Sequence, residues 1–482
     1  MSVFTSLEAQ LRHENPWWRG PDAVAEDPHL QAFRRGGLAW DPPVLRVLCP
    51  SPGRTDLLRG PRQAGKTTTV KRIIEALVRK GETRIVYHSC DLDRDFRVLP
   101  EAMATARQLH PDPEGPWYVF LDEVTAVPEW QRGVKFAWDQ GMTRRDYLLL
   151  TGSSAHDLRR GAERLPGRRG DGKDYLQLPM SFRDFAAAAC GVEVPETGLT
   201  VEGCLAPEGR KMLAEVNLRA DEIRRAWRQY RIFGGFPAAV RGLTAGRRKA
   251  DPGALRILWD AVAGDVARSS RDPVAALKLL EEVVVSLGSP LKWTDAARSM
   301  DVTLPTAKAY TTYLADSFVL LPVYFWDLAG GGLSPRKQRK VYLMDPLLAG
   351  IPGMLVPGTR GPAGDGLTES LVAAALFRSS AQSLTQADAV PGSVAYWRSR
   401  DGREVDFVVP TQDPPGRLPV EVKGDASSRI GHARRVLRRV FGRGIILSRS
   451  HFDWREDGAV IPAPVLLACL AERPTRGDPE GS

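Results

Sequence analysis

Apolar residues along the chain follow two rhythms. Short, nearly continuous apolar runs, Asp56-Leu57-Leu58-Arg59, Trp117 to Leu121 and Tyr147 to Leu150, predict buried parallel strands. The second and third runs end in polar residues, Asp122-Glu123 and Thr151-Gly152-Ser153-Ser154. Apolar residues three and four apart predict helices over Val70 to Val78, Val274 to Leu287, Leu367 to Phe377 and Ile430 to Phe441. Strands with polar tips between helices predict a parallel α/β sheet, a fold that binds its ligands at the carboxyl ends of the strands.

The second half has a different pattern. Trp293 to Met300 and Pro305 to Ser317, joined by a turn at Asp301 to Leu304, predict helix, turn, helix, with Phe318 to Leu321 and Val323 to Trp326 as wing strands. This predicts a winged helix. Its second helix is expected to expose Lys308, Thr311 and Thr312 toward a phosphate backbone or bases, yet it carries little positive charge, and winged helices serve equally as protein-contact modules. Farther on, Ala395 to Arg398, Glu404 to Val409 and Leu418 to Lys423 read as strands around a hairpin turn at Asp401-Gly402, and a strand at Gly444 to Leu447 closes a second α/β fold.

A chain of 482 residues exceeds one core. The expected organisation is an adapter over 1–50, an α/β domain over 51–190, a helical lid or linker over 191–265, the winged helix over 266–345, the second α/β domain over 346–471 and a frayed tail over 472–482.

The most specific chemical signal is Gly60-Pro61-Arg62-Gln63-Ala64-Gly65-Lys66-Thr67, a complete G-x-x-x-x-G-K-T loop between a strand and a helix. Its glycines let backbone N–H groups curl around phosphates, the helix N-terminus adds positive charge, Lys66 reaches the β and γ phosphates, Thr67 holds Mg²⁺, and Thr68 extends the nucleotide-binding run. Asp122 at a strand tip suits the hydration shell of that Mg²⁺, and Glu123 suits orienting the attacking water. A hydroxyl at the next strand tip, Ser153, is placed to sense the γ-phosphate. Arg168, beside Arg169, is either a solvated surface group or a cation that neutralises transition-state charge, in cis or across a subunit boundary. The expected activity is Mg²⁺-dependent ATP binding and hydrolysis.

These segments together resemble a family of archaeal and bacterial AAA-type ATPases. The resemblance rests on Gly-Pro-Arg-Gln-x-Gly-Lys-Thr-Thr, Leu-Asp-Glu-Val with a following tryptophan, Thr-Gly-Ser-Ser-Ala, Gly-Arg-Arg and Leu178 to Phe185, with Asn15-Pro16-Trp17-Trp18 and Tyr230 to Pro237 in keeping. It covers most of the chain, and it implies a C-terminal half resembling a PD-(D/E)XK nuclease. Asp406 and the Glu421-x-Lys423 tripeptide fit that pattern, because alternation on neighbouring strands turns both carboxylates and the lysine to one face. The resemblance implies that Asp406 and Glu421 bind Mg²⁺, that Glu369 completes the shell, and that Lys423 activates water. Arg434, Arg435, Arg438 and Arg439 share one helix face, which suits either a DNA backbone or a solvated surface.

Composition refines this picture. A net charge of +9 and a pI near 9.4 suit a nucleic-acid partner, but the arginine excess also fits a genome of biased base composition, so the position of the charge matters more than its sum. The five cysteines are scattered without CxxC spacing and read as reduced thiols, and the seven histidines show no metal-ligand spacing. No apolar run approaches the roughly 18 residues of a membrane span and the first residues are charged, so a cytoplasmic protein without membrane partner is expected. Expected partners are ATP, DNA, and a second copy or another protein. Two readings follow: an ATPase coupled to a DNA-acting nuclease-like module, or an ATP switch whose C-terminal half is a binding platform without cleavage.

Overall fold

A computed structural model of the chain describes residues 6–152, 158, 161, 165, 167–196, 198–334, 336–380, 394–412 and 415–471. They form two compact units, one through Leu178 and one from Pro179 onward.

The first unit is built on five parallel strands: β1 (Thr55–Arg59), β2 (Ile85–Ser89), β3 (Tyr118–Asp122), β4 (Tyr147–Gly152) and β5 (Asp174–Leu176). Their order in the sheet is β2-β3-β4-β1-β5. Its helices are α1 (Leu7–Glu14), α2 (Pro28–Arg35), α3 (Lys66–Arg79), α4 (Val98–Leu109) and α5 (Trp130–Asp139). Both sheet faces are covered, which is why the strands read as continuous apolar runs. Leu57, Val119, Leu121, Leu148 and Leu150 pack with residues of α4 and α5, while Leu58, Tyr87, Phe120, Tyr147 and Leu149 pack with residues of α3.

The first fifty residues are not a separate adapter. Leu11, Trp17, Leu30, Val44 and Leu48 are buried in these same two cores. They also complete the outer edge of β2, an edge strand whose free backbone groups would otherwise face a neighbouring chain or solvent. Asn15 behaves as a strand residue built from a side chain: its Nδ2 donates to the Tyr87 carbonyl at 2.8 Å and its Oδ1 accepts the Tyr87 N–H at 2.7 Å. The indoles of Trp17 and Trp18 donate to the Ile85 carbonyl, and Glu14 accepts the Ser89 N–H. The buried Lys71 ammonium of α3 fastens the segment from behind, 3.1 Å from Asp27 and 3.3 Å from the centre of the Tyr87 ring.

The second unit carries helices α6 (Phe182–Cys190), α7 (Pro207–Asn217), α8 (Ala220–Phe233), α9 (Pro237–Thr244), α10 (Pro252–Arg268), α11 (Pro273–Ser286), α12 (Trp293–Ser299), α13 (Leu304–Asp316), α14 (Ile351–Leu355), α15 (Gly366–Ser380), α16 (Ser427–Phe441) and α17 (Ala463–Cys469). Its strands are β6 (Leu320–Asp327), β7 (Gly332–Ser334), β8 (Lys340–Leu343), β9 (Ala395–Arg398), β10 (Glu404–Gln412), β11 (Pro415–Val422), β12 (Gly444–Ser448), β13 (Asp453–Arg455) and β14 (Gly458–Pro462). They make one nine-stranded sheet, β13-β14-β12-β11-β10-β9-β6-β7, with β8 paired to β6.

Four expectations change here. The two wing strands are one strand, β6, whose first half pairs with β8 and whose second half pairs with β7 and β9; Pro322 sits in the half that pairs with β8. Because β6 joins β9, regions 266–345 and 346–471 share a sheet. Gly444 to Leu447 does not close the fold, since β14 extends it in parallel and α17 follows. Thr311 is buried and its hydroxyl donates to the Ala307 carbonyl, because 307, 310, 311 and 314 form the inner face of α13, while Lys308 and Thr312 are exposed.

Replacing Asn15 by Ala leaves the buried N–H and C=O of Tyr87 without those partners, so Asn15→Ala should destabilise the first unit by about 2–3 kcal/mol. Denaturant unfolding of the variant would show a lower midpoint at unchanged slope, and an unchanged midpoint would mean that the β2 edge does not need this side chain.

Candidate functional site

In the first unit, the order of the sheet puts β4 between β1 and β3, so three strand tips converge. The loop after β1 turns sharply into α3: Gly65 has φ 90°, and at Gly60 an added Cβ would lie 2.0 Å from the Gln177 carbonyl oxygen. Gln177 also donates to the Ala64 carbonyl at 2.8 Å, which supports the loop from β5. The first turn of α3 aims N–H groups that have no partner within the helix toward the loop's concave side.

Lys66 is buried, and its ammonium lies 3.1 Å from the Gly60 carbonyl, 3.2 Å from that of Pro61 and 3.5 Å from the Glu123 carboxylate. Thr67 donates to Asp122 at 2.6 Å. Asp122 also accepts from the Tyr87 hydroxyl at 2.9 Å and from the Thr151 hydroxyl, and Thr151 in turn accepts the Glu123 N–H at 2.9 Å. Burial, and then the neighbouring Asp122, push the Tyr87 phenol well above its usual pKa, so it stays a donor. Glu123 is held in a left-handed conformation, φ 53°, unusual for a glutamate. A lysine, a hydroxyl and two acidic groups gathered at a helix N-terminus are a donor set that fits a magnesium nucleotide.

Gly60 to Thr68, Asp122 and Glu123 thus come together. Ser153 lies outside the described residues; the hydroxyl that engages the acidic pair from the β4 tip is Thr151. Arg168 corrects the cis alternative. Because β5 runs parallel to β1, the residues before it lie at the start of β1: the Arg169 carbonyl accepts the Thr55 N–H, and Arg168 pairs with Asp139 at 2.8 Å. The P-loop is at the other end of β1, about 13–17 Å away along a five-residue strand, so the role in cis is excluded and a surface group or a cation acting across a subunit boundary remain.

In the second unit, Asp406, Glu421, Lys423 and Glu369 do meet, but a residue missed in the sequence stands among them. Lys340 on β8 is fully buried, with its ammonium 3.1 Å from Asp406, 2.5 Å from Glu404 and 3.7 Å from Glu369. Further hydrogen bonds engage the same carboxylates. Asp406 accepts the Val422 N–H at 3.0 Å, Glu421 accepts the Asp406 N–H at 2.8 Å and lies 2.5 Å from Lys423, and Glu369 accepts from the Tyr342 hydroxyl at 3.0 Å. A cluster whose carboxylates already surround an ammonium does not fit a divalent ion, so the expected nuclease Mg²⁺ site is not supported. In the sequence, Lys340 ends the basic run Arg336 to Lys340 and reads as solvated; only its alternation with Tyr342 hints that it points inward.

Burial, and then the charge of Asp406, push Glu421 up to about 8 and Glu369 up to about 7. Burial opposes the charge of Lys340, but Tyr342 and the carboxylates around it outweigh that and hold it protonated. On α16, Ile430, Ala433, Val436 and Leu437 are buried as expected, and Arg435, Arg438 and Arg439 are exposed. Arg434 instead turns to Asp453, at 2.9 Å.

Residues 53–186 match the sequence model of an AAA domain, so the first unit is an AAA-type P-loop ATPase domain, an arrangement that supports ATP binding and hydrolysis. Residues 224–351 and 365–466 match two domains of unknown function, DUF8612 and DUF4143. No curated protein matches the chain. Among solved structures, it is similar to a Walker-type ATPase of Pyrococcus abyssi at 13% identity and TM-score 0.38, over 62% of this chain and 90% of the other. It is also similar to the Orc1 protein of Aeropyrum pernix in complex with DNA, at 17% identity and TM-score 0.26, over 68% and 92% of the two chains. A third is Cdc6p of Pyrobaculum aerophilum, at 14% identity and TM-score 0.23, over 74% and 97%. Among the described residues, no helix is long and apolar enough to cross a membrane.

The raised carboxyls carry a sign. A free glutamate titrates near 4.5, so between that pH and about 7 and 8 the folded unit holds protons on Glu369 and Glu421 that the unfolded chain releases. Their contribution to stability is complete below pH 4.5 or so and is lost as pH rises through about 8. The melting temperature of the second unit should therefore fall between about pH 4.5 and about pH 8, and Glu421→Gln should flatten that fall. Identical slopes in wild type and variant would contradict the assignment.

Proposed function

We propose that the chain is a Mg²⁺-dependent ATPase whose nucleotide state governs a C-terminal unit that binds a partner without cutting it. The observation that carries the ATPase reading is the 2.6 Å hydrogen bond from Thr67 to Asp122, which joins the end of the phosphate-binding loop to the acidic strand tip. The N–H groups of Gly60 to Thr68 cradle the phosphates, with Pro61, Arg62, Gln63 and Ala64 forming the loop's span. Lys66 would leave its carbonyl and Glu123 partners for the β and γ phosphates, and Thr67 and Asp122 would hold Mg²⁺, which would supply positive charge to offset the charge developing on the phosphates. Released from Lys66, Glu123 orients the attacking water, while Thr151 fixes its backbone.

For the second unit, Lys340 favours a platform over a nuclease, because replacing its ammonium by a metal ion would have to uncover the three carboxylates of Glu369, Glu404 and Asp406 at once. The competing reading, a DNA-acting nuclease using Glu369, Asp406, Glu421 and Lys423, requires Mg²⁺-dependent cleavage that disappears in Asp406→Ala.

Glu123→Gln should keep ATP binding and lower turnover by about a hundredfold or more, the usual cost of losing a positioned base. Phosphate release together with labelled-ATP binding on the same preparation checks both halves, and turnover within about threefold of wild type would remove Glu123 from the reaction.

A further inference from the structure

In the second unit, a cavity of about 260 Å³ opens beside Lys423. Its charged lining is Arg224, Arg228, Arg231, Lys423 and Arg449 against a single carboxylate, Asp365. The three α8 arginines recur at i, i+4 and i+7, so they share one helix face, while Ile223, Ala226, Tyr230 and Phe233 bury the other. Trp227, which also lines the cavity, is buried edge-on against Phe182 with ring centres 5.0 Å apart; it anchors α8 and offers no free face to a base.

Some of this charge is already answered. Arg449 pairs with Asp365 at 2.9 Å, Lys423 with Glu421, and Arg224 with Asp221. Among the described residues, neither Arg228 nor Arg231 has a carboxylate within ion-pairing distance. Arg231 is half-buried and donates to the Thr368 hydroxyl at 3.3 Å; burial lowers its pKa, Asp365 opposes that, and Arg449 adds to it. A half-buried guanidinium, Arg231, next to the exposed Arg228, with neither in an ion pair among the described residues, makes a receptor for an anion, and their planar forks match phosphate oxygens.

We propose that this cavity binds the phosphates of a nucleic-acid strand, without reading its sequence. Arg224 and Arg231 are about 10 Å apart along α8, a span suited to an extended polyanion rather than to a single phosphate. With no free aromatic face, binding is electrostatic and independent of base identity. Cationic residues of α8 thereby take the role that the sequence assigned to α16, none of whose arginines lines the cavity. The proposal rests on reading the second unit as a platform. Cleavage of the probe would overturn that reading alone, whereas absence of binding would overturn the cavity assignment alone.

The test is fluorescence anisotropy of full-length protein with a labelled single-stranded oligonucleotide of mixed sequence, over a series of salt concentrations. Arg228→Gln/Arg231→Gln should weaken binding about tenfold or more and reduce the slope of log K against log salt by about 1.4, at about 0.7 per lost contact. Arg225→Gln removes one positive charge from an exposed position on the same helix outside the cavity, and should leave affinity within about twofold. Unchanged binding in the double variant, or an equal loss in Arg225→Gln, would overturn the proposal. Calorimetric titration with inorganic pyrophosphate separates the sources: heat lost in the double variant, with no oligonucleotide binding by wild type, would make this a small-phosphate site and refute the strand. If the double variant melts early, Arg228→Gln alone, at an exposed position, carries the same comparison with half the slope change.

Discussion

The first unit is organised around one carboxylate. Asp122 accepts hydrogen bonds from three hydroxyls, Thr67 after the phosphate-binding loop, Tyr87 on β2 and Thr151 on β4. Asp122 itself ends β3, so one buried side chain ties together the loop after β1 and three strand tips. A buried carboxylate with good donors is stable, and the same group left bare would be costly. The order of the sheet follows from this need as much as it permits it: with β4 between β1 and β3, Thr151 can serve Asp122 and the Glu123 backbone together. The N-terminal segment acts one layer farther out, since Asn15 holds the backbone of the strand that carries Tyr87.

The second unit solves a similar problem in the opposite way. Four carboxylates gather on β10, β11 and α15, and the group that balances them is the protein's own ammonium, Lys340, with Lys423 at the margin. Two of the acids relieve the burial by holding protons to neutral pH or above. The result ties β8 to the sheet strand that carries Asp406, which makes the cluster a fastening within the unit. In both units, polar residues that a sequence would assign to chemistry are also what positions the backbone.

The legible parts of the sequence were those whose meaning is local. The G-x-x-x-x-G-K-T loop, the acidic pair at the end of an apolar run and the hairpin at Asp401-Gly402 each carry their geometry within a few residues. Strand β2 was less visible because His88 and Ser89 interrupt its apolar run, and its partner, Asn15, lies 72 residues away. Arg168 looked close to the nucleotide because it follows a strand tip in the chain; the parallel return of β5 carries it to the far end of β1. Lys340 was hidden in a basic run, and the arginines of α8 were hidden in a charged segment that suggested a lid. Each miss depends on a pairing between distant segments, which periodicity does not encode.

The central claim is that Asp122 couples the loop to the metal. Thermal unfolding of Asp122→Asn with ATP, in the presence and absence of Mg²⁺, tests it most directly. The account predicts that wild type gains an additional rise in melting temperature from Mg²⁺ and that the variant, while still stabilised by ATP, loses that increment. An equal Mg²⁺-dependent rise in both proteins would contradict it.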